Sequence, residues 1–134
     1  MRRNFVIWAF SLLLASICPA TRADELYVVC HAGVTLAAAD VRDVFLGEVQ
    51  FFDAVRLLPV DNLTAEPDFL DKVLRMNAAK YATTWAKKSF RDGINPPAAL
   101  ANDAAVLDFI RRTPGGCGYL RLAPSEGVTV IAHY

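Results

Sequence analysis

Cys30 and His31 stand side by side, Cys117 and His133 lie far downstream, and Asp61-Asn62-Leu63-Thr64-Ala65-Glu66 gathers carboxylates, an amide and a hydroxyl in one short run. Thiolate and imidazole are metal ligands and nucleophiles, so these groups raise two chemistries. A structural metal site announces itself by cysteine or histidine pairs a few residues apart, and this chain has none. A cysteine nucleophile needs a base within reach, but His31 follows Cys30 directly, and on a strand consecutive side chains point to opposite faces. No nucleophile elbow, phosphate loop or helical metal motif occurs, and Asp53, Asp61 and Asp103 are scattered as turns and caps scatter them. The expectation is a non-enzymatic chain with no metal and no cofactor.

The N-terminus reads as an export address. Arg2 and Arg3 precede an apolar stretch from Phe5 to Ile17, and Thr21-Arg22-Ala23 offers small residues for cleavage, so residues 1–23 are expected to be a removed signal peptide. The apolar stretch is short for a membrane span, so no stable membrane insertion is expected after removal. Residues 24–134 then form one domain of 111 residues, large enough for a real core. Losing Arg2, Arg3 and Arg22 leaves 11 basic against 14 acidic groups, a net charge of −3. A nucleic-acid footprint would need a clustered basic excess, so nucleic acid is not expected as a partner. The expected location is the periplasm. Cys30 and Cys117 survive cleavage, and an even count in an exported chain predicts a disulfide. Cys30 ends the apolar run from Leu26 and Cys117 opens Gly118-Tyr119-Leu120, so antiparallel pairing of the two runs brings the cysteines together.

The rest of the chain alternates strand and helix signals. Val41, Val44 and Phe45 share a helical face, with Thr35 able to cap it and Gly47 as the stop; Val55 to Val60 follows as a strand. Asp61 to Thr64 is turn chemistry, with Thr64 or a neighbour capping a helix that has Pro67 in its first turn and Phe69, Leu70, Val73 and Leu74 on its inner face. Asn77 to Phe90 continues as a helix with Tyr81 and Trp85 inward, while Lys87, Lys88 and Arg91 read as a solvated face. The prolines of Arg91 to Pro97 demand a loop. Asn102 or Asp103 caps a helix bearing Val106, Phe109 and Ile110, and Tyr119 to Leu122 and Val128 to Ala132 close the chain as strands. In the pair Phe51-Phe52, one ring is expected at the surface. The predicted fold class is α/β, a mixed sheet flanked by helices.

Two motifs carry a family resemblance. The segment VRDVFLGEVQFFDAVRLLPVD reads as helix, F-L-G, aromatic turn and strand, and PGGCGY matches a P-G-x-x-G-Y strand entry. Both are similar to the second lobe of phosphate ABC transporter substrate-binding proteins, of the type-2 periplasmic binding protein fold, over most of Glu25 to Tyr119. The resemblance implies one lobe of such a protein, with an oxyanion site at an R-x-D-G-S-G-T loop. Aligned through Phe69, that loop falls on Asp61 to Pro67, with Asp61 at the family's arginine, Ala65 at its serine and Pro67 at its threonine. Asp61, Asn62, Thr64 and Glu66 are therefore the candidate ligand-binding residues, in a loop that has lost its cation and both hydroxyls. Asp61, Glu66, Asp68 and Asp71 give the helix start a negative sign, read as a solvated acidic cluster that complements the helix dipole.

A single lobe lacks the opposing wall of a closing cleft. The expected function is a binding or sensing module whose cleft is completed by a second protein chain or a homodimer mate, its small ligand unspecified. The alternative is an interaction or assembly domain of an envelope complex that kept the fold without the ligand.

Overall fold

The computed structural model describes residues 25–124 and 126–134. The expected signal peptide, residues 1–23, lies outside the described residues. Strand β1 is Tyr27–His31, followed by a 3-10 turn at Ala38–Asp40 and helix α1 at Val41–Phe45. A small hairpin, β2 (Phe51–Phe52) and β3 (Val55–Arg56), leads into β4 (Leu58–Asn62). Helix α2 (Glu66–Phe69) runs on as a wider π turn over Leu70–Leu74, then come α3 (Ala78–Asp92), β5 (Ala98–Leu100), α4 (Asp103–Arg112), β6 (Gly116–Leu120) and β7 (Val128–His133).

Five strands make one mixed sheet in the order β5-β4-β6-β1-β7. The inner strand β4 runs parallel to both β5 and β6, whereas β1 is antiparallel to β6 and β7. The chain is an α/β domain with helices on both faces, because alternate residues of the central strands feed two separate cores. Val28 and Cys30 of β1 join Cys117 and Tyr119 of β6 beneath α1, α2 and α3, with Val41, Phe45, Phe69, Leu74 and Trp85. Val29, Val60 and Leu120 face the other way, onto Val106 and Ile110 of α4. Gly118 belongs to this second face. A Cβ there would stand 2.6 Å from Val106 Cγ1, so the missing side chain is what lets α4 lie close to the sheet.

Cys30 and Cys117 are directly opposed in the β1–β6 register and joined as a disulfide. The antiparallel pairing expected from the two apolar runs therefore holds. Helices α3 and α4 begin at Asn77 and Asn102, whose side-chain oxygens accept from the amides of Lys80 and Ala105 at 2.8 and 3.0 Å. Gly47 ends the α1 segment with φ of 71°.

The structure corrects several local expectations. Val55 to Val60 is not one strand. Asp53 turns with φ of 51°, Val55 and Arg56 fold back onto Phe52 and Phe51, and only from Leu58 does the chain enter the main sheet. Thr35 caps nothing: the 3-10 turn starts after Ala37, without a side-chain cap. Strand β5 is hidden in the sequence by Pro96 and Pro97 just before it; it sits at the sheet edge, where a missing donor is tolerated. Strand β6 starts at Gly116 rather than Tyr119 and ends at Leu120, because the amides of Arg121 and Leu122 turn to the Asp103 carboxylate. Lys88 is not on a solvated face. It is 6 % exposed, and its Nζ reaches Glu48 Oε1 at 2.7 Å from a stem laid along the protein. Of the aromatic pair, Phe51 is 56 % exposed while Phe52 packs against the core. No described helix is long and apolar enough to cross a membrane.

Candidate functional site

The segment from Asp61 to Asp68 leaves the sheet at the carboxyl end of β4 and enters α2. Ligands of open α/β sheets are met at such strand ends, where a helix start brings free amides. In this chain the segment is turned inward.

Asp61 is 5 % exposed, with Val60 before it and Asn62 after it also buried. Its carboxylate accepts from Tyr81 Oη at 2.9 Å on one oxygen and from Tyr119 Oη at 3.0 Å on the other. Tyr119 in turn stacks on Phe69 at 4.0 Å between ring centroids, and Phe45 meets Phe69 edge-on at 4.7 Å, so an aromatic wall backs the site. Burial pushes the Asp61 carboxyl up from 3.8 to about 6. The two tyrosine donors work against that rise, and the nearby Glu66 charge adds to it. Burial and the neighbouring carboxylate likewise push both tyrosine hydroxyls up. The expectation of a solvated acidic cluster is thus corrected at Asp61: alternation along β4 sends its side chain into the larger core.

Asn62 is fully buried and uses both ends of its amide. Nδ2 donates to Asp103 Oδ1 at 2.7 Å and to the Tyr119 carbonyl at 2.9 Å. Oδ1 accepts from the Thr64 amide at 3.1 Å and from Thr64 Oγ1 at 2.7 Å. Thr64 therefore closes a turn onto Asn62 and is not a helix cap; the residue before α2 is Ala65, without a side-chain cap. The neighbouring amides are also taken, Leu63 by the Leu100 carbonyl at 2.9 Å and Ala65 by the Asn62 carbonyl at 3.0 Å. Arg121, which the sequence pattern does not single out, fastens the segment from outside. Its Nε donates to the Thr64 carbonyl at 2.8 Å and its Nη1 to Asp68 Oδ2 at 2.5 Å.

The structure thus ties Asp61, Asn62 and Thr64 into a hydrogen-bonded knot around Tyr119, with buried Asp61 on its hydroxyl, buried Asn62 on its carbonyl and exposed Thr64 on Asn62, and leaves Glu66 apart. Glu66 lines an open groove of about 700 Å³ with Leu63, Leu70, Asp71 and Met76. The knot is well made for rigidity and poorly made for an anion: a phosphate here would have to displace Asn62, Thr64 and Asp68 from partners they already hold. The second hub is Asp103, for which the sequence suggests only a capping role. It collects Asn62, Arg121 and Leu122 donors, while Asn102 does the capping.

The remaining reactive groups are dispersed. His31 Nδ1 lies 2.8 Å from the Ala32 carbonyl, and His133 stacks on Tyr27 at 4.2 Å. Among the described residues no group of three His, Cys, Asp or Glu side chains converges as a metal site would require. In comparison with known proteins, the chain matches no family model and no curated protein sequence.

Proposed function

We propose that this chain is an exported, non-enzymatic binding or sensing module, built like the second lobe of phosphate-type substrate-binding proteins, in which the oxyanion loop has become a structural fastening. The observation that carries the reading is the state of the loop amides: Leu63, Thr64 and Ala65 each donate to an oxygen of the chain itself. An anion site at a helix start needs those donors free and a cation beside them. The nearby guanidinium of Arg121 is committed to Asp68 and to the Thr64 carbonyl. The Cys30–Cys117 bridge supports an oxidising compartment such as the periplasm. The non-enzymatic reading is supported by Asp61, whose shifted carboxyl is sealed between tyrosines and lines neither the groove at Glu66 nor the cleft beside Trp85.

Calorimetric titration of the purified chain with inorganic phosphate and sulfate tests the loop. The expected result is no saturable heat at millimolar anion. Micromolar phosphate binding that disappears in Thr64→Ala would overturn the proposal. A second reading, an interaction or assembly domain in which a partner chain or homodimer mate covers the surface, is favoured by Phe90 at 95 % and Leu122 at 73 % exposure. Light scattering on the eluting peak tests this surface: a dimer lost in Phe90→Ser or Leu122→Ser supports assembly through it, a dimer kept by both variants supports a mate that completes the module's cleft, and a monomer removes the homodimer from both readings.

A further inference from the structure

At the other end of β4 from the knot, a second cleft of about 310 Å³ opens between the β2–β3 hairpin, α3 and the proline loop before β5. Its walls are largely apolar, with Val44, Trp85, Ile94 and Phe109 among them. Arg56 is the one ionisable residue in its lining, accompanied by the amides Gln50 and Asn95. The Arg56 guanidinium forms no hydrogen bond or ion pair with any described residue, in contrast to Lys88, Arg91, Arg112 and Arg121, each of which holds a carboxylate. The hairpin register sets Arg56 directly opposite Phe51, so the exposed Phe51 ring shares the face of the guanidinium.

We infer that this cleft binds a small organic carboxylate, its apolar body against Trp85 and its carboxylate on Arg56. A fork of guanidinium donors matches a planar carboxylate in two parallel bonds, and an apolar chamber with one cation and a few amides is the usual make-up of a small-ligand pocket. At this volume the occupant is small. The larger groove sets Glu66 and Asp71 against the single cation Arg75, a net negative lining, and serves as the internal control. The inference extends the binding-module reading to a different place on the lobe and does not depend on the loop.

Amide-resolved NMR titration of the purified chain with octanoate, and with 1-octanol as its uncharged counterpart, tests the assignment. Octanoate is expected to give saturable shifts at Gly47, Gln50, Arg56 and Leu57, with Met76 and Asn77 unmoved. Arg56→Gln should weaken octanoate at least about tenfold and leave octanol unchanged, in keeping with the loss of a charge-assisted bond. Arg56→Lys should fall between them. No saturable shift at several millimolar octanoate, shifts centred on Met76, or equal octanoate affinity in Arg56→Gln would overturn the inference. The phosphate titration reports on the loop separately, so either proposal can fail while the other stands.

Discussion

Replacing Asp61 by asparagine isolates the cost of keeping a carboxylate between Tyr81 and Tyr119. The carboxyl rises from 3.8 to about 6 on folding. At low pH it is protonated in both folded and unfolded chains and contributes nothing to the difference. As pH climbs past 3.8 the unfolded chain releases its proton first, so the folded state holds more protons and stability falls, levelling off above about 6. A shift of this size corresponds to a loss on the order of 3 kcal/mol across that window. The amide of the variant cannot titrate, and it keeps the shape: one tyrosine still donates to its oxygen while the other accepts from its nitrogen. Urea denaturation of wild type and Asp61→Asn, followed by circular dichroism at intervals from about pH 3.5 to 7.5, gives two stability profiles whose difference cancels every other titrating group. The wild type is expected to lose on the order of 3 kcal/mol relative to the variant between those limits. Parallel profiles would refute the argument. A wild type that gains on the variant as pH rises would show that the tyrosine hydrogen bonds outweigh desolvation. Tyr119→Phe supplies the internal check, since deleting one donor to the charged form should carry the Asp61 midpoint above 6.

Asn62→Ala should cost about 2–4 kcal/mol in the same denaturation assay, because it strands the buried Tyr119 carbonyl and loosens Asp103 and Thr64 together. Removing the disulfide as Cys30→Ala with Cys117→Ala reopens a link between residues 87 apart. The loss expected from chain entropy is about 4 kcal/mol, read as a lower urea midpoint. Gly115→Ala should destabilise the domain by at least about 2 kcal/mol, since Gly115 adopts φ of 80° and a Cβ there would run into the Arg56 carbonyl. Alanine at the exposed, open Gly33 is the comparison, where only the backbone strain of φ 96° remains; thermal unfolding should rank Gly115→Ala well below Gly33→Ala.

Much of the scaffold is legible along the chain, because local rules suffice for it. The faces of α3 and α4, the asparagines that open both helices and the glycine that closes α1 depend on neighbours three or four residues away. Even the Cys30–Cys117 bridge follows from a local fact, the position of each cysteine at the end or start of an apolar run. The hairpin is not legible, because the apolar residues of Val55 to Val60 conceal the point at which one strand ends and the next begins.

The site is a different matter. Asp61 looks like a surface acid beside three others, and its burial depends on Tyr81 and Tyr119, 20 and 58 residues away. Arg121 reaches Thr64 across 57 residues, and Lys88 finds Glu48 across 40. Residue types at that spacing carry no mutual signal until the sheet brings β4 and β6 together. Composition and periodicity determined an α/β domain with an acidic loop between a strand and a helix. The turn of Thr64 and Ala65 onto Asn62 is local, but tertiary packing alone decided that the Leu63 amide goes to Leu100, that Asn62 is locked to Asp103 and Tyr119, and that Arg56 is left facing a cleft, because those partners meet only in the folded neighbourhood.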